Sequence, residues 1–166
     1  MLVVAAYWII GCCRRTSEAR KVLENYRNSN MDNPNAHIYL YDFCLENGSI
    51  DKEELLKLLT EFNERWPSNK SHALALIRML STESQLDKRT TIYFNLLDYS
   101  CHMEDAELWS EFEAFLALNV NSEMVRREWL TRQSWWPAYL RDSHSPVSNA
   151  HISQRNILNL LCKHRK

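Results

Sequence analysis

Glycine is almost missing from this chain: its 166 residues hold two, Gly11 and Gly48, beside four prolines. Sheet proteins turn often and need many more of both, so the shortage excludes most β architectures and favours long helices with short links. Two isolated glycines also cannot build a phosphate-binding loop or a dinucleotide fingerprint. No charge of one sign dominates: the net charge is −1 and the pI about 6.6, so nothing drives the whole chain toward nucleic acid. The five cysteines, Cys12, Cys13, Cys44, Cys101 and Cys162, are an odd, scattered set without a disulfide framework or a Cys-x-x-Cys. They read as reduced thiols of an intracellular protein. Cys101-His102 and Cys162-Lys163-His164 have no second pair at zinc spacing, so no metal site is expected.

Long apolar runs are lacking too. Residues 2–10 are nearly all apolar and residues 11–13 extend them weakly, short of the roughly 20 residues that span a bilayer. Arg14 and Arg15 follow this run, whereas a signal peptide carries its positive charge in front. The preferred reading is a buried repeat helix whose upstream neighbours lie outside this chain; a signal or anchor is the alternative.

What the chain does contain is a repeat. Pro34-Asn35-Ala36-His37-Ile38-Tyr39-Leu40 and Asn69-Lys70-Ser71-His72-Ala73-Leu74-Ala75 open alike, with His37 and His72 in matching places 35 residues apart. The segments before them match as well: Val22, Leu23 and Tyr26 are mirrored by Leu58, Leu59 and Phe62. A period near 35 residues built from two helices and two turns marks an α-solenoid of the tetratricopeptide kind. Such units bury their faces against neighbours and present protein-binding surfaces.

Apolar spacing predicts helices over residues 17–28, 34–46, 52–66, 72–80, 88–102, 106–118, 123–136 and 152–162. Asn33-Pro34 reads as a cap followed by a first-turn proline, Asn47-Gly48 as a stop, and Asp51 with Glu54 as a capping box. Pro137 is expected to end or kink its helix, and residues 142–150 to form a loop. The expected fold is an all-α antiparallel helix-pair stack, a tetratricopeptide or half-a-tetratricopeptide-like α-solenoid. Residues 1–142 would form the repeat domain, and 143–166 a loop, short helix and basic tail.

No catalytic constellation stands out. Serine, histidine and aspartate all occur, but no residue sits in a nucleophile elbow. His37 and His72 read as first-turn residues that pack or cap between units, not as ligands or bases. Residues 104–123 carry six carboxylates and no lysine or arginine, and the tail carries Arg155, Lys163, Arg165 and Lys166 without a carboxylate. These are a solvated face and a frayed end, or else the tail touches phosphate or serves as a nuclear address. Trp129, Trp135, Trp136, Pro137 and Tyr139 form the one unusual cluster. Its tryptophans anchor the turn into the core, or they anchor a partner, as tryptophan and tyrosine often do. With Arg126, Arg127, Arg132 and Arg141 nearby, base stacking is a third possibility.

Two patches carry a family resemblance. The run from Asn33 to Phe43, preceded by Val22-Leu23-Glu24-Asn25-Tyr26, resembles the A subunit of the TATA-binding-protein-associated factors of RNA polymerase I; so does Ser134-Trp135-Trp136-Pro137-Ala138-Tyr139. The resemblance covers residues 16–142 and implies a non-enzymatic component of the promoter selectivity factor, working without a cofactor in the nucleus and nucleolus. Implied partners are TATA-binding protein and the other RNA polymerase I associated factors, with weak promoter DNA contact. Trp135, Trp136 and Tyr139 are then the interface candidates, and Lys163, Arg165 and Lys166 the phosphate contacts. A different helical-repeat scaffold, in RNA processing or trafficking, is the rival expectation.

Overall fold

The computed structural model describes residues 16–48, 50–80, 85–102, 104–132 and 149–163, without the side chains of residues 100, 149–151 and 163. Among the described residues there are eight α-helices, one short 3-10 turn and no strand. The all-α expectation holds. The helices are α1 (Thr16–Ser29), α2 (Pro34–Asn47), α3 (Lys52–Arg65), α4 (Lys70–Met79), α5 (Leu86–Leu97), α6 (Ala106–Asn119), α7 (Glu123–Arg132) and α8 (Asn149–Lys163); the 3-10 turn is Ser100–His102. They fall into two compact units, Met1–Met79 and Leu80–Lys166.

In the first unit each helix packs on the next: α1 on α2, α2 on α3, α3 on α4. Local chemistry sets the boundaries. The Asn33 side chain accepts the Asn35 amide at 3.0 Å, and Pro34 follows in the first turn, where its missing N–H costs nothing. Gly48 closes α2 at φ 55°, a left-handed conformation that glycine adopts without strain, and its N–H returns to the Cys44 carbonyl. Asp51 caps α3 by accepting the Glu54 amide at 2.8 Å. The Glu54 carboxylate, the other half of the expected capping box, is held by Arg20 of α1. Ala19, Leu23, Leu40, Phe43 and Cys44 form a buried cluster, flanked by Ile50, Leu55 and Leu58. Each large side chain buried there contributes about 2–3 kcal/mol through apolar area removed from water.

In the second unit α5 packs against α7 and α6 against α8. Between α5 and α6 the contact runs through rings: Tyr93 meets Phe112 and Phe115 at 5.4 and 4.8 Å, and Phe94 meets Phe112 at 5.2 Å. Asp105 caps α6 through the Leu108 amide, and the buried Trp109 indole donates to the His102 carbonyl at 3.0 Å.

Several helix limits depart from the apolar pattern. The helix expected over residues 88–102 ends at Leu97; the chain tightens into the 3-10 turn, and Tyr99 is 38% exposed instead of joining the buried stripe. Helix α4 begins at Lys70, two residues before His72, because the Asn69 side chain caps it by accepting the His72 amide at 3.2 Å. Asn149 and Ala150, expected in a loop, open α8. The stretch expected to continue α7, residues 133–136, and the Pro137 break lie outside the described residues.

Candidate protein-interaction surface

The two matching histidines are buried, at 6% and 7% exposure. His37 sits in the first turn of α2, and its Nε2 lies 3.1 Å from the Met31 carbonyl. A carbonyl can only accept, so Nε2 carries the proton. Arg65, at the end of α3, donates to the same carbonyl at 3.0 Å. One backbone oxygen in the α1–α2 turn is thus held from two helices. The His37 ring stands edge-on to Trp66 at 4.9 Å and lies 6.4 Å from Phe62. Burial pushes its pKa below the ordinary histidine value; the Met31 bond opposes this, while the positive fields of Arg27 and Arg65 add to it.

His72 occupies the equivalent turn of α4. Its Nδ1 lies 3.0 Å from the Asn69 side-chain oxygen and so carries the proton, leaving Nε2 bare, buried and without a hydrogen-bond partner among the described residues. The ring packs 4.4 Å from Phe62 and 5.1 Å from Tyr41. Burial lowers its pKa, against the pull of Asp42. Both imidazoles converge on Phe62 and are neutral packing groups at neutral pH, as expected of first-turn residues. Among the described residues no cluster of three or more His, Cys, Asp or Glu side chains is arranged to hold a metal. No described helix is long and apolar enough to cross a membrane.

Charge is organised differently in the two units. Between α1 and α3, Arg20 bridges Glu24 at 2.7 Å and Glu54, and Arg27 faces Glu61 at 3.8 Å. These side chains, with Lys57, surround a cavity of about 130 Å³ floored by Leu40, Cys44 and Leu58. The sequence holds a signal for this cleft: Arg20 and Glu54, like Arg27 and Glu61, are 34 residues apart, close to the repeat.

In the second unit Arg132 is buried at 7% exposure. Its Nε and Nη2 hold Asp98 at 2.8–3.0 Å, Nη1 holds Glu128 at 2.5 Å, and Nη2 reaches Asn95 at 3.0 Å. Its guanidinium lies 5.1 Å from the Phe94 ring centre. Its place beside the aromatic cluster suggests a nucleic-acid contact, but Arg132 is instead an internal clamp. Arg126 and Arg127 on the same helix are exposed.

Trp129, the first member of the aromatic cluster, is 3% exposed and belongs to the core. Trp135, Trp136, Tyr139, Arg141, Arg165 and Lys166 lie outside the described residues. Lys163 ends α8, and its side chain lies outside them as well. Large apolar side chains also reach the surface: Leu118 is 87% exposed, Leu45 55%, Ile152 52% and Leu130 51%. Leu45 and Leu118 lie on α2 and α6, whose apolar residues are not confined to one stripe, so some of them face outward.

Comparison with known proteins gives a consistent result. The family model of the TAF RNA Polymerase I A subunit matches residues 9–149. The A subunit of the mouse TATA box-binding protein-associated factor RNA polymerase I is 30% identical to this chain over 131 residues, and the human one 28% over 128 residues. Each match covers 73% of this chain and 28% of the relative, so the chain spans less than a third of those proteins' length. An uncharacterized Caenorhabditis elegans protein is 38% identical over 64 residues, covering 39% of this chain and 12% of its own.

Proposed function

This chain belongs to the family of the TAF RNA Polymerase I A subunit, and from that membership we propose that it is a non-enzymatic component of the RNA polymerase I promoter selectivity factor. It joins TATA-binding protein and the other associated factors in the nucleus and nucleolus. There it helps assemble the initiation complex at ribosomal RNA gene promoters through protein–protein contacts. The observation that carries this reading is the family match running through most of the chain, residues 9–149.

The structure supports a scaffolding mode of action. Helix hairpins with matched histidines and ion pairs 34 residues apart suit a tetratricopeptide-like stack, whose faces hold partner segments. The histidines best placed for chemistry are committed to packing. In this reading Trp135, Trp136 and Tyr139 anchor a partner, and Lys163, Arg165 and Lys166 make weak contacts to promoter phosphates.

Affinity purification of the tagged chain from nuclear extract, followed by mass spectrometry, tests the assignment. Recovery of TATA-binding protein with the other RNA polymerase I factors is the expected result. Recovery of splicing, RNA-decay or trafficking factors in their place overturns the transcription reading and leaves the helical scaffold. Replacing Trp135 and Trp136 by alanine separates anchor from core: lost partners with unchanged helicity is expected, and lost helicity assigns both to the interior.

A further inference from the structure

Two places in the chain carry the same short signal, a pair of basic residues, one spacer and a hydroxyl: Arg14-Arg15-Thr16-Ser17 and Lys88-Arg89-Thr90-Thr91. Protein kinases with acidic substrate clefts read this order. Two cations ahead of the hydroxyl pair with carboxylates of the enzyme and hold the acceptor oxygen against the γ-phosphate of ATP. The fold separates the two copies. The second is spent on structure: Lys88 to Thr91 stand inside α5, the buried Thr90 hydroxyl donates to the Leu86 carbonyl, Thr91 is half-buried, and Arg89 lies 5.2 Å from the Phe115 ring centre. The first is open. Ser17 is exposed in the first turn of α1, and its hydroxyl makes no hydrogen bond among the described residues. Thr16 is exposed too, but the arginines stand one residue too close to it. Arg14 and Arg15 lie outside the described residues and enter by sequence alone.

We propose that Ser17 is a phosphorylation site for an arginine-directed protein kinase, with Arg14 and Arg15 as the residues the kinase reads. The γ-phosphoryl group of ATP bonds to the Ser17 Oγ as its bond to the β-phosphate oxygen breaks; ADP leaves, and the hydroxyl proton passes to the carboxylate base of the kinase. Among the described residues α1 begins at Thr16, and the end of a helix opens for an enzyme more readily than its middle, where Thr91 stands. The product is also tolerated there. Its added charge, about −2, lies toward the positive end of the helix dipole and one turn before Lys21, which is exposed and makes no ion pair among the described residues. Arg20 stays with Glu24 and Glu54. The inference goes beyond the scaffold reading: it is a change of charge on α1, whichever complex the chain joins.

The whole folded chain is incubated with magnesium ATP and the purified catalytic subunit of cyclic-AMP-dependent protein kinase, an arginine-directed enzyme, and the phosphate is located by mass spectrometry of its peptides. Phosphate on Ser17 and none on Thr91 is expected, while a synthetic peptide of residues 86–97 should accept it at Thr91. Ser17→Ala should abolish incorporation. Arg14→Ala with Arg15→Ala should lower kcat/KM about tenfold at unchanged helicity. Preference for Thr16 or Thr91, no incorporation, or an unchanged rate in the double-arginine variant overturns the site. So does a bare peptide, since the fold is then not what spares Thr91. Chain isolated from cells lysed in phosphatase inhibitors should carry the same phosphopeptide, and its absence also overturns the site. Recovery of the RNA polymerase I factors with a chain bare at Ser17 removes this site and leaves the function; a phosphorylated chain that recovers none of them removes the function and keeps the site.

Discussion

The two units join helices across the same sequence distance by opposite means. In Met1–Met79 the side-chain links 34 residues apart are partly exposed: the ion pairs Arg20 to Glu54 and Arg27 to Glu61, laid over an apolar cluster, and Arg65 on the Met31 carbonyl. In Leu80–Lys166 the link of that length is Arg132 to Asp98, its guanidinium buried beside Phe94 and its carboxylate partly exposed. Exposed pairs contribute little because water competes for both partners. A buried pair contributes little as a unit but is expensive to break, since the abandoned charge stays in a poor solvent. The first unit is therefore held by its core with charges as trim. The second has an apolar core of its own, with Phe94, Trp109, Phe112 and Trp129 inside it, and adds one buried arginine clamp.

The sharpest way to break that contrast is Arg132→Ala. With the buried guanidinium gone and the partly exposed Asp98 and Glu128 left to water, we expect a loss of about 1–3 kcal/mol, read as a lower urea midpoint for the second unit and an unchanged one for the first. If both units lose equally, they unfold as one and the contrast fails. Replacing Arg132 by methionine together with Asp98→Asn and Glu128→Gln should recover much of the loss, because no charge is then stranded.

A second test acts on the first unit alone. Gly48→Ala should cost about 1 kcal/mol. A β-carbon there meets no atom within 4 Å, so the effect comes from the left-handed backbone alone. Gly48→Asn should cost less, since asparagine tolerates that conformation.

Arg20→Ala, the counterpart of the clamp deletion, should cost under about 1 kcal/mol and shrink further in high salt. A loss comparable to that of Arg132→Ala would erase the distinction between the units.

The smallest effect is a pH dependence. His37 and His72 have pKa values below the ordinary one when folded, so their contribution is whole above the unfolded value near 6.5 and is lost as pH falls toward the folded values. The urea midpoint of the first unit should fall between about pH 7.5 and 5.5, and the His37→Gln, His72→Gln double variant should flatten that slope.

Local punctuation is readable from the chain itself. Asn33, Gly48 and Asp51 mark helix limits because each acts within a few residues of where it stands. The paired histidines are legible for the same reason: each stands in a first helical turn and packs on Phe62, although His37 bonds a backbone carbonyl and His72 the Asn69 side chain. Long-range electrostatics are harder to read. Arg132 looks like one more surface arginine on a polar helix, and only packing against α5 brings Asp98, Asn95 and Phe94 around it. The α1–α3 cleft is hidden likewise, because no residue in it is unusual alone and the cavity exists only once two helices lie side by side. The early end of α5 escapes the pattern because Tyr99 fits the helical spacing while its backbone turns away.

The uniform reach of these links has a consequence for synthesis. A ribosome adds roughly 5–20 residues per second, so the 34 residues between Asp98 and Arg132 take roughly 2–7 s. During that wait α5 has emerged with its acceptors unmet, while the first unit can already close on its apolar cluster. The second unit stays open longer still, because α8, which packs on α6, is the last described helix to be made.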